Sequence, residues 1–311
     1  MRRWMVKLSI VVPTLNEGHY LPILLDSIKS QTYKDYEVIV SDAGSKDGTV
    51  ATATKYGCVV VIDKKKGPGY GRNRGAELAS GKYMLFLDSD VFFPSRHFLE
   101  RFMEIVERRR IRLGSCLIEP YPARLIDRFM SPITNTLIFT SAGIAPFAMG
   151  FFIFVSSAVH KKIGGFDETI LVGEDQNYVR RASKYARFKA VPSMKICYST
   201  RRLEKEGRLT YYPKCLLMSI YQTIVGEIDK PIFEYEFGSF RPPKATYDEI
   251  MREIGEKKYV DGAILRKILE QFKSNGNGRR NKRKRKAKSV FGKRKVKKPK
   301  NKSRKSKRKI K

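Results

Sequence analysis

The chain has no Cys-x-x-Cys pair. Its four cysteines, Cys58, Cys116, Cys197 and Cys215, lie far apart, which excludes the common zinc and dithiol patterns. They read as free thiols of a reducing compartment. Tryptophan is nearly absent, with Trp4 alone. No apolar run reaches the roughly 20 residues that a membrane-spanning helix needs. Residues 129–160 carry no formal charge, but Pro132, Gly143, Pro146 and Gly150 interrupt them. That stretch reads as an apolar loop followed by a buried strand, with shallow docking on a membrane as the alternative. The opening run Leu8–Pro13 is too short for a secretory leader and reads as a first strand.

Acidic residues are missing altogether from 279–311, which hold 21 of the 64 Lys and Arg. The preceding 278 residues carry 43 basic and 31 acidic residues, so the body accounts for +12 of the +33 formal charge. The last 33 residues are a polycation, disordered by composition. Three partners fit it: anionic lipid headgroups, nucleic acid bound without sequence preference, or none beyond water. Only Val290, Phe291, Val296 and Ile310 interrupt it, so stacking on bases is poorly served. The apolar patch Phe129–Phe154 tips the reading slightly towards a membrane surface.

The body has 41% apolar residues, enough for a sizeable core. Short apolar runs at Lys7–Pro13, Tyr36–Ser41, Cys58–Asp63 and Lys82–Asp88 alternate with helical patterns at Glu17–Gln31, Asp47–Tyr56 and Gly71–Ala79. In the first helical pattern Leu21, Leu24, Leu25 and Ile28 fall on one face. Such alternation predicts βαβ units and a mainly parallel sheet. Further strands are expected at Ile111–Ile118, Phe151–Ser156 and Ala190–Ser199. Further helices are expected at Asp175–Tyr185, Leu209–Ile224 and Tyr247–Phe272, before a Gly276-Asn277-Gly278 linker.

Ligands of such sheets bind beyond the carboxyl ends of the strands. Thr14, Asn16 and Glu17 follow the first strand, Asp42 ends the second, and Asp88 and Asp90 follow the fourth. Asp88-Ser89-Asp90 aims two hard oxygen ligands at one spot, which suits Mg²⁺ or Mn²⁺ shared with substrate phosphates. Alone it also reads as a solvated turn. Asp42 is placed to accept from a nucleobase N–H. Gly44 permits a tight turn, and Asp47 is assigned to capping the next helix. In Gly67-Pro68-Gly69-Tyr70-Gly71-Arg72-Asn73-Arg74-Gly75 the glycines let the backbone approach a ligand and the guanidiniums could meet a diphosphate. The bland reading is a helix start with surface charge. Glu174 and Asp175 equally read as helix capping.

Taken together the motifs resemble family 2 glycosyltransferases. The resemblance rests on Pro13-Thr14-Leu15-Asn16-Glu17, Asp42–Thr49, Gly71–Gly75 and Phe86-Leu87-Asp88-Ser89-Asp90, in that order. It extends to Gly164-Gly165-Phe166-Asp167-Glu168, Gly173-Glu174-Asp175-Gln176 and Ser199-Thr200-Arg201-Arg202, covering roughly residues 7–225. It implies a GT-A fold of the α/β class, a mainly parallel sheet flanked by helices, with a helical extension and a disordered basic tail. The implied division is a catalytic domain at 1–228, an extension at 229–274 and the tail at 275–311. Residues 1–110 would form the nucleotide half and 111–228 the acceptor half.

The resemblance also implies a nucleotide-diphospho-sugar donor and a Mg²⁺ or Mn²⁺ cofactor. Pro13, Thr14, Glu17, Asp42, Arg72 and Asp88 would hold the donor. Asp90, with Asp88, would bind the metal. Asp175 would be the general base, kept ionised by its helix N-terminus. Glu174, Arg201 and Arg202 would sit near the diphosphate or the acceptor. In-line attack would invert the anomeric centre. A phosphate acceptor needs no base, so Asp175 favours a hydroxyl over a polyprenyl phosphate. The expected place is the cytoplasm or, peripherally, its membrane face.

Departures from the family pattern are informative. Ala43 stands where many relatives have a second acid. No Gln-x-x-Arg-Trp signature and no pair of C-terminal spanning helices occur, against a processive synthase. Two other classes stay open here: a nucleic-acid-binding protein on an inactive transferase fold, and a nucleotidyltransferase. The latter usually needs a glycine-rich loop after strand one, where this chain has Pro13–Glu17.

Overall fold

The computed structural model describes residues 6–65, 67–141, 146, 148–170, 172–224, 243 and 245–254. The chain divides into two compact units, Met1–Met251 and Arg252–Lys311. The described residues fall almost wholly in the first. The basic tail and most of the helical extension lie outside them.

The first four strands follow the expected alternation. Strands β1 (Leu8–Thr14), β2 (Tyr36–Asp42), β3 (Val59–Ile62) and β4 (Tyr83–Phe86) alternate with helices α1 (Leu21–Lys29), α2 (Thr49–Lys55) and α3 (Pro68–Leu78). All four strands pair in parallel in the order β3-β2-β1-β4. Parallel pairing with helical crossovers buries both faces, which is why Leu8, Ile10, Val11 and Val12 all have no exposed surface. Helix α3 packs tightly on β1: a methyl on Gly75 would run into the Val11 side chain.

The second half makes the sheet mixed. It comprises β5 (Val91–Phe92), α4 (Phe98–Arg108), β6 (Leu113–Tyr121), α5 (Leu125–Ser141), β7 (Ile153–Ser156), α6 (Ser157–Lys162), α7 (Glu174–Ser183), β8 (Phe188–Ser199), α8 (Arg201–Glu206) and α9 (Arg208–Ile224). The full order is β3-β2-β1-β4-β7-β6-β8-β5. β7 runs antiparallel to β4 and to β6, and β5 antiparallel to β8, while β6 and β8 are parallel. Between sheet and helix α4, Phe102 meets Phe152 and Phe154 edge-on at 4.9 and 5.2 Å. Each ring taken from water contributes about 1.5–3 kcal/mol.

Helix α4 is an addition to the elements expected from sequence. A larger correction concerns the apolar loop expected from Phe129 onwards, over whose start the 17-residue helix Leu125–Ser141 stands. The reason is that most of the large apolar side chains of α5 face outward. Its inward face is mixed: Asp127, Asn135 and Ile138 are buried, Ile138 in the apolar core, and Asn135 takes the place of a neighbouring strand. Ile118 N–H donates to Asn135 Oδ1, and Asn135 Nδ2 donates to Ile118 O, both at 2.8 Å. Its outward face is apolar, so a search for a buried apolar stripe misses it.

The expected C-terminal helix is present over 247–254 and lies outside the described residues beyond that. Tyr247 and Ile250, placed by sequence in a separate extension, are buried. The Tyr247 hydroxyl lies 3.2 Å from Ser30 Oγ and 3.3 Å from Phe93 O.

Candidate active site

Parallel strands β1, β2 and β4 deliver their following loops to one edge of the sheet. Thr14 and Asp42 are register partners there. Asp42 is buried, and each of its oxygens accepts two hydrogen bonds. Oδ1 takes Gly44 N (3.0 Å) and Ser45 N (2.7 Å). Oδ2 takes Thr14 Oγ1 (2.9 Å) and Ser45 Oγ (2.6 Å). A carboxylate has about four lone-pair sites, so the protein fills it. Within the chain, Asp42 thereby shapes the loop between β2 and α2.

Asn16 completes that loop. It adopts φ +55°, a region where Asn is tolerated better than most residues. Its Oδ1 accepts Lys46 N at 2.9 Å, and its own N–H donates to Ser45 Oγ at 2.7 Å. Asp47 accepts from Thr49 N, at the start of α2, and from Gly18 N, both at 3.0 Å. The capping role assigned to it thus also ties the two loops together.

Two buried arginines organise the acids beyond these loops. Arg201, at the start of α8, donates from Nη1 and Nη2 to the two oxygens of Glu17 at 2.6 and 2.8 Å. Its Nε donates to Asp90 Oδ2 at 2.8 Å, and its guanidinium lies 4.3 Å from the Tyr20 ring centre. Burial pushes the Glu17 carboxyl up, and Arg201 opposes that shift.

Arg72, on α3, is the second. It is expected as a surface or diphosphate-facing cation, yet only 2% of its side chain is exposed. Nη2 donates to Asp88 Oδ1 at 2.8 Å and Nη1 to Glu174 Oε1 at 2.7 Å. The guanidinium lies 5.3 Å from the Phe166 ring centre. Burial raises the Asp88 pKa, and Arg72 pulls it down. Gly150 closes this corner: a methyl there would come within 2.5 Å of Arg72 Nη2. Its N–H donates to Asp175 Oδ2 at 2.8 Å.

Asp175 departs from expectation. It sits in the first turn of α7, where the helix dipole would hold it ionised. Burial outweighs the dipole, and the Glu174 charge adds to burial. Together they push its pKa up to about 7, with Arg72 opposing. A carboxyl poised there exchanges protons near neutrality.

Of the remaining expected residues, Pro13 lies against α3, where a methyl on Gly71 would come within 3.0 Å of its Cβ. Arg202 reaches Glu206 on its own helix at 3.8 Å. Asn73, quoted only within a motif, does more than sequence suggests. It brackets Phe166, donating to its O at 2.9 Å and accepting from its N at 2.8 Å. That clamp docks the Gly164–Glu168 segment on α3. Gly150 had no signal in sequence, being one small residue in an uncharged run.

Five carboxylates (Glu17, Asp88, Asp90, Glu174, Asp175) thus share one region with two guanidiniums. Fully ionised they leave an excess of three negative charges. The arginines engage one oxygen of each metal-candidate aspartate, Asp88 Oδ1 and Asp90 Oδ2. Among the described residues no three acidic, His or Cys side chains converge as an all-protein cage. That donor set fits a hard divalent cation that takes its remaining ligands from phosphate and water.

Comparison with known proteins settles the family. The profile described as Glycosyl transferase family 2 matches residues 9–164, half of the chain. The chain belongs to glycosyl transferase family 2. Among relatives, Glycosyltransferase AglE of Haloferax volcanii is 29% identical over 186 residues, 56% of this chain and 60% of its own. The GalNAc(5)-diNAcBac-PP-undecaprenol beta-1,3-glucosyltransferase of Campylobacter jejuni is 35% identical over 124 residues, 37% of this chain and 40% of its own. This family-2 chain therefore spans less than two thirds of either curated relative. The mannosyltransferase PcManGT from Pyrobaculum calidifontis, solved with GDP-Man and Mn²⁺, superposes with a TM-score of 0.55 at 19% identity. It covers 68% of this chain and 64% of its own. Likeness at that identity concerns the fold, which is GT-A.

Proposed function

We propose that this family-2 chain is an inverting glycosyltransferase that moves one sugar from a nucleotide-diphospho-sugar to a hydroxyl of a glycan or lipid-linked acceptor. The observation that carries the reading is the Asp88-Ser89-Asp90 turn, whose two carboxylates each face a buried arginine at 2.8 Å. The loops after β1 and β2, held by Thr14, Asp42 and Asn16, receive the nucleoside. Pro13 and Glu17 line the same edge.

Asp88 and Asp90 are the residues that would hold Mg²⁺ or Mn²⁺, which supplies charge neutralisation of the departing diphosphate. Arg201 and Arg72 carry positive charge to the same region, and stabilise negative charge as it develops. Asp175 takes the proton of the acceptor hydroxyl. Its pKa near 7 makes it a stronger base than an ordinary aspartate. Glu174 holds Arg72 and sets the field around Asp175. Arg202 stands at the acceptor side.

The division proposed is a donor half at 1–110 and an acceptor half at 111–228, then the extension at 229–274 and the basic tail at 275–311. The Campylobacter relative, by its name, glucosylates an undecaprenol-linked saccharide. We extend a lipid-linked acceptor to this chain, with the enzyme working peripherally at the cytoplasmic membrane face. Among the described residues no helix is long and apolar enough to cross a membrane.

The test is a thermal-shift panel of nucleoside diphosphates, with and without Mn²⁺, on wild type and Asp90→Asn. A Mn²⁺-dependent rise with one nucleotide, lost in the variant, supports the donor site and names the base. Folded wild type that responds to no nucleotide would overturn the assignment.

A further inference from the structure

The outward-facing apolar side chains of α5 leave a surface that the catalytic reading does not use. Leu125, Phe129, Ile133 and Leu137 recur every fourth residue on its outward face, with exposures of 86, 71, 44 and 53%. Phe139, 52% exposed, widens the stripe. From Phe129 to Thr140 the helix carries no charge at all. Helix α9 is tethered beside the start of α5. Arg208 Nε and the Tyr212 hydroxyl both donate to the buried Asp127 at 2.9 Å. It adds exposed Leu209 and Leu217, at 82 and 59%. A row of exposed large apolar side chains along one helix face marks an interaction site.

Charge identifies the partner. Exposed Arg124 and Arg128 flank the stripe at its N-terminal end. The chain adds the acid-free tail with its 21 Lys and Arg. Apolar side chains on the outward face of a helix, basic groups beside them and a polybasic segment on the same chain are the pattern of a protein lying on anionic lipid. At 17 residues α5 is about 25 Å long, too short to cross a bilayer upright.

We propose that the outward face of α5, with the exposed leucines of α9, is the surface on which this enzyme rests on an anionic bilayer. The stripe sinks into the headgroup and acyl boundary, while Arg124 and Arg128 meet lipid phosphate. In sequence α5 ends nine residues before Gly150, which closes the corner around Arg72 and Asp175. The inference deepens, and for its catalytic sense rests on, the lipid-linked acceptor proposed above.

The experiment is co-sedimentation of the full chain with phosphatidylcholine vesicles and with phosphatidylcholine–phosphatidylglycerol vesicles, at low and high salt. Wild type is compared with the double variant Phe129→Ser/Leu137→Ser, which leaves the buried face and the tail intact. Wild type is expected to bind the anionic vesicles, and the double variant to partition at least ~10-fold more weakly. The gap should be widest at high salt, where attraction through the tail is screened. Equal partitioning of the two proteins would overturn the proposal and leave the tail as the only anchor. Light scattering that shows a wild-type dimer and a monomeric variant would also overturn it, assigning the face to a second copy. A large fall in the variant's melting temperature would overturn it too, assigning the face to other parts of the chain. The nucleotide panel on the same two proteins keeps the readings apart: nucleotide response without vesicle binding sinks only this inference, and vesicle binding without nucleotide response sinks the donor site.

Discussion

Arg201 grips both oxygens of Glu17, at 2.6 and 2.8 Å, across 184 residues of sequence. Its third contact, Nε to Asp90, joins the first loop of the chain to the turn after β4. One side chain at the start of α8 therefore holds two acids from the first ninety residues.

Removing that guanidinium strands two largely buried carboxylates. Arg201→Ala is expected to cost roughly 3–5 kcal/mol in urea denaturation. Adding Glu17→Gln to it should restore part of the loss, since one stranded charge is then gone. A single variant within about 1 kcal/mol of wild type would mean that the pairing contributes no net stability.

Asp175→Asn should lower kcat by about 10²–10⁴ while leaving the donor KM little changed. In wild type, kcat/KM should rise with pH through about 7, as the carboxyl loses its proton. Glu174→Gln removes the neighbouring charge and should move that rise to lower pH. The stability linkage has the opposite sign. A carboxyl whose pKa is raised in the fold stabilises most below its ordinary range and loses this as pH climbs through 7. Asp175→Asn should therefore melt higher than wild type at pH 8 and show no such gain at pH 4. A pH profile identical in wild type and Glu174→Gln would argue against the assignment.

Gly150→Ala places a methyl within 2.5 Å of Arg72 Nη2. Displacing Arg72 unpairs Asp88 and Glu174, so nucleotide-dependent stabilisation should fall. The overpacking itself should cost about 1–3 kcal/mol. Calorimetric titration of the nucleotide found in the panel, against wild type and variant, reads the first effect; denaturation reads the second.

His160 is buried at the back of the sheet, its Nδ1 2.8 Å from the Tyr178 hydroxyl. Burial, then the charges of Lys161 and Arg181, hold its pKa down at about 4. A depressed histidine stabilises the fold above its ordinary pKa near 6.5 and loses that as pH falls through 4. Melting temperature should drop over this window in wild type, and the drop should be smaller in His160→Gln.

Legibility from sequence followed the direction in which side chains point. Strands β1, β2 and β4 were plain because both faces are buried, and runs such as Ile10-Val11-Val12 have no polar alternative. The acids at their ends were legible for the same reason: a carboxylate straight after a buried strand stands at the sheet's edge. What could not be read was pairing across the fold. Nothing near Arg72 says that Asp88 and Glu174 close on it, and nothing near Asp42 says that Thr14 and Ser45 fill it. The ionisation of Asp175 is not legible in sequence because the dipole is a local property, whereas burial is set by elements far away in sequence. Helix α5 escapes a search for a buried stripe because most of its large apolar side chains face out.

The Glu17–Arg201 grip also sets an order in time. During synthesis, at roughly 5–20 residues per second, the first half can begin to pair its strands as soon as they appear. Asp90 and Glu17 then wait, uncompensated, until more than a hundred further residues have been added and Arg201 arrives. The ribosome must have made nearly all of the second half before the acids at the heart of the first are neutralised. A chain truncated before residue 201 would lack the guanidinium that pairs with Glu17 and Asp90.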